Sequence, residues 1–286
     1  APSKLSARWK SEGLDAAVLY PTLGILWEAE LADVELSQAY CRAYNRWIAG
    51  FCRHSGGRLV PIAHLSLGDP EAAATELRRA VREGCRGAFV VPFTITRKAH
   101  GDPAHDPVFA AAQDLDVPIA IHPSFEPFAL RSQRFENAHR LPLLAAVTAA
   151  EGVRHAFTTL FDHAVFERFP GLRVVLLESG GGWIGHWLDR LDGVFEATFL
   201  GNRSALKTRP SELFRRQCFI SCDPDERTIP ALMRLYGEDR FFWASDYPHP
   251  DHTGDYLQAL EAMAGELPGP ARARLLGANV RQAFGF

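Results

Sequence analysis

Seven short apolar segments divide the sequence, and they constrain the fold of this chain more than any other feature. Each is rich in Val, Ile, Leu or Phe and lacks the strict alternation of apolar and polar residues that marks a half-exposed strand. The seven predicted strands lie at 16–22, 58–67, 87–93, 117–123, 172–179, 218–223 and 241–246. The segments between them show helical periodicity, so the pattern predicts a parallel sheet covered by helices.

Signals for helix ends support this interpretation. Asp69 is a predicted N-cap, Pro70 suits the first helical turn, and Gly84 suits the exit, where glycine takes positive φ without strain. Asp106 and Pro107 repeat the Asp-Pro entry. The helix predicted between the first two strands has one apolar face, made of Leu36, Tyr40, Ala43, Trp47 and Phe51.

A TIM barrel, with eight parallel strands each followed by a helix, is the predicted fold within the α/β class. Such a barrel uses roughly 250 residues, and the chain has 286 residues, 47% of them hydrophobic. We therefore expect one domain over residues 1–286. The alternative is an open doubly wound sheet, but the chain lacks the glycine-rich first turn of that fold. Since only seven strands are found and residues 6–13 look like the end of a helix, we expect the first strand to precede Ala1, which would make the chain N-terminally incomplete.

Composition argues against several classes of protein. The formal charge is −3 with a pI near 6.4, and the arginines are scattered, so we expect no nucleic-acid partner. No apolar run reaches the roughly 18 to 20 residues that cross a bilayer, and residues 1–10 resemble no signal peptide, which predicts a cytoplasmic protein without a membrane partner. The five cysteines lack metal-site spacing and are predicted to be reduced and mostly buried.

Four predicted strands end in a side chain that can carry a proton or bind a metal. These residues are His122, Glu178, Asp223 and Asp246. In a barrel the C-terminal strand ends meet at one mouth, where active sites lie. Because a buried unpaired carboxylate is costly, such a cluster is usually paired or bound to a metal. We predict a metal or catalytic role for His122 and Asp246; a purely structural hydrogen bond is the alternative.

Several motifs resemble one known family. They are VLYPTLG at 18–24, CRAYNRWIAGF at 41–51, AIHP at 120–123, FERFPGLRVVLLESGGGW at 166–183, LDRLD at 188–192, WASDYPHPD at 243–251 and LLGANVRQAFG at 275–285. Together they resemble the amidohydrolase-related family that includes aminocarboxymuconate-semialdehyde decarboxylase. The resemblance implies a (β/α)₈ barrel with one divalent metal, expected to be zinc, with manganese as the alternative. It also implies ligands from a His-x-His on the first strand, a middle-strand His, here His122, and a last-strand Asp, here Asp246.

The sequence departs from the family pattern at two places. No His-x-His occurs in these 286 residues, which agrees with a first strand that precedes Ala1. In addition, Glu178 stands where the decarboxylases carry a proton-handling His. Because a buried Glu with a raised pKa can also move protons, we predict a catalytic role for Glu178; the alternative is that the exchange changes the reaction. Asp246 is also predicted to be catalytic.

Other histidines and two loops are further candidates for the site and its surroundings. His249 and His64 are candidate substrate contacts, although His249 could instead cap its own turn. The glycines at 180–182 predict a close backbone approach beside the site rather than a phosphate loop. The long connection at 124–140 is a candidate lid, with a loop wall or subunit contact as the alternative. Four histidines are expected to face solvent: His100, His105, His155 and His163.

The resemblance favours one reaction and leaves two alternatives. The favoured reaction is metal-dependent, non-oxidative decarboxylation of an aromatic or unsaturated carboxylic acid. The first alternative is hydrolysis of a cyclic ester or amide, with Asp246 moving the proton of a metal-bound water. The second is a metal-free, non-catalytic homologue. The expected partners are therefore a small carboxylic acid or cyclic substrate and, in a homodimer, a second copy of the chain.

Overall fold

A computed structural model describes residues 9–21, 27–126, 141–148, 150–197, 205–247, 249 and 255–286. Residues 127–140, which form most of the predicted lid, lie outside these ranges. Residues 1–8 of the N-terminal segment also lie outside them. The described part contains a two-stranded and a six-stranded parallel sheet, which follow each other directly in the chain, with helices packed along their outer face.

Every predicted strand segment contains a strand. The strands are β1 Ala17–Leu19, β2 Leu59–Pro61, β3 Ala63–His64, β4 Ala88–Val90, β5 Ile119–Ile121, β6 Val174–Leu176, β7 Cys218–Cys222 and β8 Phe241–Trp243. The second predicted segment contains both β2 and β3, which are separated only by Ile62. β1 pairs with β2, and β3 to β8 pair in chain order, always in parallel. This order is that of a β/α barrel.

Helices connect the strands. They are α1 Val34–Cys52, α2 Pro70–Arg82, α3 Asp106–Asp114, α4 Pro142–Thr148, α5 Glu151–Asp162, α6 Val165–Arg168, α7 Ile184–Glu196, α8 Pro210–Gln217, α9 Ile229–Tyr236, α10 Tyr256–Gly265, α11 Gly269–Ala273 and α12 Asn279–Phe284. Short 3₁₀ turns lie at Trp27–Ala29 and Pro103–His105, and a π-helical turn lies at Arg274–Ala278. Within the described ranges, no helix has the length and apolarity needed to span a bilayer.

The predicted helix ends are correct for α2 but not for α3. The carboxylate of Asp69 accepts a hydrogen bond from a first-turn backbone N–H of α2 at 3.0 Å, and Gly84 has φ 114° at the exit. Asp106 is instead the first residue of α3, because the preceding 3₁₀ turn already leads into the helix. Its carboxylate accepts hydrogen bonds from Arg168 at 2.7 and 2.9 Å.

Side chains alternate between the inside of the sheet and the helix layer, as the two-residue period of a strand requires. The middle residue of β4, Phe89, lies in the inner cluster, whereas its neighbours Ala88 and Val90 lie in the cluster beneath the helices. The inner cluster comprises Ile62, Phe89, Ala120, Val175, Leu177, Phe219, Phe242, Ala283 and Phe284. The chain therefore has two apolar layers, one on each face of the sheet.

The C-terminal helix contributes to the inner layer. Ala283 and Phe284 of α12 are buried in the inner cluster, and the Phe284 ring packs edge-on against Phe242, with ring centroids 6.4 Å apart. Asn279 anchors the start of this helix by donating to the backbone carbonyl of Phe241 at 2.7 Å. Residues far from the strands in sequence thus help to fill the inside of the sheet.

The apolar face of α1 is not the face that packs against the sheet. Leu36, Tyr40 and Trp47 of that face are 43%, 48% and 58% exposed. The opposite face is buried, and it includes Asn45, whose side chain donates to the backbone carbonyl of His64 at 3.0 Å and accepts from its N–H at 2.7 Å. These polar contacts to strand β3 hold α1 with its aromatic side outward.

The first and last strands, β1 and β8, are the strands between which the expected extra strand would lie. Within the described residues β1 is paired only with β2, and β8 only with β7. In the described residues β1 and β8 are not hydrogen-bonded to each other. Such bonding would have argued against a missing strand. The N-terminal strand and the single domain over 1–286 both stay predictions.

Two of the four histidines expected in solvent are buried. His100 is 5% exposed and His105 is 1% exposed, because the loop after β4 folds back over the strand end. His100 Nε2 donates to the backbone carbonyl of Val91 at 2.9 Å, and burial lowers the pKa of His100 to about 4. His155 is exposed as predicted, and all five cysteines are free and buried, also as predicted.

The buried His100 predicts acid sensitivity. Its pKa is about 4 in the folded chain, against 6.5 for the unperturbed side chain, so the unfolded state binds the proton first and stability is lost as pH falls through this window. We expect His100 to remove about 2 kcal/mol from the free energy of unfolding between about pH 7.5 and 5. Urea unfolding at both pH values measures this. His100→Gln keeps an N–H donor and should lose less stability, whereas exposed His155→Gln should behave like wild type. Equal losses in His100→Gln and wild type would contradict the assignment.

Candidate active site

The four polar strand ends lie on the same end of the sheet. His122 directly follows β5, Glu178 follows β6 by two residues, Asp223 directly follows β7, and Asp246 follows β8 by three. These strands are parallel neighbours, so their carboxyl ends point the same way. The location of all four residues is as predicted.

His122 and Glu178 are in direct contact. His122 Nε2 lies 3.0 Å from Glu178 Oε2, and His122 Nδ1 lies 2.7 Å from the backbone carbonyl of Pro123. Because Nδ1 must donate its proton to that carbonyl, the Nε2 of a neutral imidazole directs a lone pair at the carboxylate. Two acceptors at this distance require a shared proton or a cation between or beside them.

Asp246 and His249 form a second pair. His249 Nδ1 lies 2.8 Å from Asp246 Oδ1, and the His249 backbone N–H donates to the Asp246 carbonyl at 2.9 Å. One ligand atom each from Glu178, Asp246 and His249 lie within 4.8 Å of one another. The predicted ligand Asp246 thus belongs to a three-residue group, and His122 contacts that group through Glu178.

The backbone at Glu178 and Asp246 is left-handed. Their φ angles are 41° and 46°, and residues other than glycine rarely adopt this region because Cβ crowds the backbone. Such a conformation costs on the order of 1 kcal/mol or more and persists only where surrounding contacts impose it. For Glu178 one such contact is its backbone N–H, which donates to Ser221 Oγ at 3.1 Å. The hydrogen bond to Ser221 therefore helps to fix the backbone from which the Glu178 side chain extends.

The glycine loop after Glu178 encloses an internal carboxylate. Glu226 accepts hydrogen bonds from the backbone N–H groups of Gly181 at 2.7 Å, Gly182 at 3.1 Å and Asp223 at 3.1 Å. Burial raises the pKa of the Glu226 carboxyl, although the bonds from Gly181 and Gly182 oppose this. A Cβ on Gly180 would lie 2.8 Å from the Glu226 carboxylate. The predicted close backbone approach is present, and its occupant is this side chain.

His64 lies inside the sheet but not in the carboxylate group. Its ring stacks on Phe89 with centroids 4.4 Å apart, and Phe89 also contacts the rings of Tyr20 and His122. His64 is fully buried, with Nε2 2.8 Å from the carboxylate of buried Glu28. Phe89 stacks between the His64 ring and the His122 ring. The role of His64 as a substrate contact therefore stays a prediction.

Three residues near the site were not predicted. Ser221 is an inward residue of β7, two positions before Asp223, so the strand period could have identified it. Glu226 and Tyr20 gave no comparable signal, because their positions depend on contacts across different loops. The Tyr20 hydroxyl is buried, and burial raises its pKa above the usual value.

The donor atoms suit a divalent cation. Carboxylate oxygens and imidazole nitrogens are ligands of zinc and manganese in proteins. His122 Nε2 lies 3.0 Å from Glu178 Oε2, and Asp246 and His249 add ligand atoms within reach of Glu178. The residues present therefore fit a metal ion at this strand end.

Comparisons with known proteins identify the relatives of the chain. Residues 16–286 match the family described as Amidohydrolase. Gamma-resorcylate decarboxylase from Rhodococcus jostii is 30% identical over 232 residues, which cover 76% of this chain and 69% of the relative. The crystal structure of 5-carboxyvanillate decarboxylase from Sphingomonas paucimobilis has a TM-score of 0.82 at 25% identity, covering 98% of this chain and 82% of the other.

A manganese-bound structure has the same fold. It is 5-carboxyvanillate decarboxylase from Novosphingobium aromaticivorans with a nitrobenzoic acid ligand; its TM-score is 0.85 at 21% identity, covering 99% of this chain and 80% of the other. The neighbours and the sequential parallel strands confirm the predicted TIM-barrel class. The family match extends over nearly the whole chain. The chain therefore belongs to the amidohydrolase family, in agreement with the resemblance noted in its motifs.

Proposed function

We propose that this protein is a metal-dependent, non-oxidative decarboxylase of an aromatic carboxylic acid. The observation that carries the proposal is the group of Glu178, Asp246 and His249 with His122 in contact, at the strand ends of an amidohydrolase-family barrel. Curated relatives are decarboxylases of γ-resorcylate, and neighbours in structure are decarboxylases of 5-carboxyvanillate and 2,6-dihydroxybenzoate. These names favour decarboxylation over hydrolysis and over a metal-free role.

The proposed metal ligands are His122 and Asp246, with His249 beside Asp246. When bound, a divalent ion supplies a positive charge that attracts an anionic substrate and disperses negative charge formed in the reaction. Manganese in a related decarboxylase and the mixed oxygen and nitrogen donors support manganese or zinc. Within the chain, the Pro123 carbonyl fixes the orientation of the His122 ring by accepting from Nδ1.

Glu178 is the proposed proton carrier. In its protonated form it would donate the proton to the ring carbon as the bond from that carbon to the carboxylate breaks and CO₂ leaves. The resulting Glu178 carboxylate would regain a proton from water, so the cycle is balanced. The side chain is 30% exposed, which allows this exchange, and its contact with His122 Nε2 at 3.0 Å provides a partner for the charge.

The inner aromatic side chains favour a planar, apolar substrate body. Tyr20 and Phe89 lie against the His122 ring, with centroid distances of 5.5 and 5.7 Å. Because Phe89 is fully buried, these rings form an apolar floor beneath the polar group, and the body of an aromatic acid can lie above it while its carboxylate faces the polar group. The five free cysteines suit a reducing compartment, so we also propose the cytoplasm as the location of the protein.

The proposed ligands can be tested by elemental analysis. We expect His122→Ala and Asp246→Ala to lower manganese or zinc content well below that of wild type, because each removes a donor atom. His155→Ala changes a histidine whose side chain is 72% exposed and should keep wild-type content. If both donor variants retain full metal content, His122 and Asp246 are not the ligands.

The role of Glu178 predicts a loss of turnover without a loss of metal. Glu178→Gln keeps the shape but cannot deliver a proton, so we expect kcat to fall at least about a hundredfold. Formation of CO₂ from γ-resorcylate and from 5-carboxyvanillate, with metal content measured in parallel, tests this. Turnover near wild type would exclude Glu178 as the proton carrier, and collapse of metal content would assign it as a ligand instead.

A further inference from the structure

Glu226 lies beside the candidate active site, but the proposed reaction gives it no role. It is in the loop between β7 and α9, and its carboxylate is outside the group of ligand atoms that Glu178, Asp246 and His249 form. Glu226 is half-buried, and removing a carboxylate from water is costly unless donors replace the water. The contacts of this side chain therefore indicate what it contributes.

Backbone N–H groups take the place of water around this carboxylate. Gly181 donates to both oxygens, at 3.0 Å to Oε1 and at 2.7 Å to Oε2. Gly182 donates to Oε1 at 3.1 Å, and Asp223 donates to Oε2 at 3.1 Å. We call these three N–H groups the N–H cradle. Hydrogen bonds to an ionised oxygen are roughly twice as strong as neutral ones, so Glu226 ties the glycine loop, residues 180–182, to the end of β7.

The glycine loop fits closely around Glu226 and the residues that follow it. A Cβ on Gly180, whose φ is 65°, would lie 2.8 Å from Glu226 Oε1, and a Cβ on Gly182 would lie 2.9 Å from Thr228 Oγ1. Real Cβ atoms do not approach other heavy atoms this closely. The absence of side chains thus lets the loop backbone come near enough for its N–H groups to reach the carboxylate. The glycine loop and the Glu226 side chain therefore form one structural unit.

The glycine loop also leads into helix α7, Ile184–Glu196. The Gly181 carbonyl accepts a hydrogen bond from the N–H of Ile184 at 3.3 Å, so the cradle N–H groups of Gly181 and Gly182 lie at the N-terminal end of this helix. A helix N-terminus stabilises a negative charge through its free N–H groups and its dipole. In this chain the carboxylate of Glu226 supplies that charge.

The glycine loop is also continuous with Glu178, which is three residues before Gly181. On the strand side, the N–H of Glu178 donates to Ser221 Oγ at 3.1 Å. Its φ of 41° is left-handed, and such a conformation persists only where surrounding contacts impose it. Glu226 supplies contacts of this kind on the loop side. A shift of about 1 Å in a reacting group can lower a rate about a hundredfold, so loss of Glu226 should impair proton transfer by Glu178.

We propose that Glu226 is a positioning residue, whose carboxylate holds the glycine loop through the N–H cradle and thereby places Glu178 for delivery of its proton. This inference rests on the proposed role of Glu178 in decarboxylation. Because Glu226 is not among the proposed metal ligands, its loss should lower turnover and leave metal content and substrate binding unchanged. A purely structural Glu226 would give a different pattern, with lower stability but unchanged turnover of the folded protein.

Steady-state kinetics separates the two roles. We expect Glu226→Ala to lower kcat between about tenfold and about a hundredfold, with KM and metal content within about twofold of wild type. The substrate is γ-resorcylate or 5-carboxyvanillate, whichever wild type decarboxylates. Asp225→Ala is the matched control, because it removes an exposed carboxylate from the same loop, and it should have wild-type kcat. A wild-type kcat in folded Glu226→Ala, or a collapse of its metal content, would overturn the proposal.

Formate tests whether a carboxylate is what the glycine loop requires. Glu226→Ala removes the occupant of the N–H cradle, so added formate should raise the kcat of this variant on the order of tenfold, the effect of about one hydrogen bond to a charged group. Sodium chloride at the same ionic strength should not, and neither salt should raise the kcat of wild type. Glu226→Gln brings an NH₂ donor against the cradle donors, so its kcat should be below that of wild type, and this variant replaces Glu226→Ala in the kinetic test if the latter does not fold. A formate effect no larger than that of chloride would overturn the proposal.

Hydrogen exchange, measured by mass spectrometry, tests the glycine loop without any reaction. We expect the backbone amides at 180–183 to exchange at least about tenfold faster in Glu226→Ala than in wild type, because they lose their acceptor, and formate should slow them again. The amides of α2, Pro70–Arg82, are the internal control and should exchange equally in both proteins. If wild type decarboxylates neither acid but exchange follows this pattern, the proposed reaction is wrong and the contact of Glu226 with the loop is supported. Unchanged exchange at 180–183 would overturn the inference whatever the activity.

Discussion

The two-residue period of the parallel strands is the constraint on which the rest of the structure depends. It sends every second side chain to the inside of the sheet, where Phe89, Ala120, Val175 and Phe219 form a continuous apolar layer. A polar side chain in that layer would lose its hydration without a partner. The inward polar groups of the candidate site therefore lie at the carboxyl ends of the strands. His122, two residues beyond Ala120, is the first inward position of its strand where an imidazole is tolerated.

A second constraint acts on the loops that follow the strands. The carboxylate of Glu226 is mostly removed from water, so it must be satisfied by donors, and it draws them from the glycine loop and from Asp223. This ties the end of β6 to the end of β7. The bond from Glu178 N–H to Ser221 Oγ ties the same two ends again. The side chains of Ser221 and Glu226 thus both hold the segment that begins at Glu178, which supports its left-handed backbone.

Much of this arrangement follows from sequence, because apolar runs and strand ends are local features. The residues at 117–123 and 241–246 are continuous in their apolar character, so both strands and the polar residues after them could be predicted. The orientation of α1 could not, since its buried face contains Asn45 and Gln38. Their hydrogen bonds to the backbone of His64 and Ser66 outweigh the apolar character of the opposite face. Glu226 could not be predicted either, because its glycine partners, Gly181 and Gly182, lie about 45 residues away in the chain.

The position of α12 inside the sheet has a consequence for the order of folding during synthesis. The last strand, β8, ends at Trp243, but the inner layer also needs Ala283 and Phe284. A nascent chain whose β8 has just emerged from the ribosome therefore has every strand that the structure describes, but an unfilled interior. Its inner apolar surface stays open to water or chaperones until some forty further residues have emerged. Emergence of α12, rather than completion of the sheet, is the step that allows the inside of this protein to close.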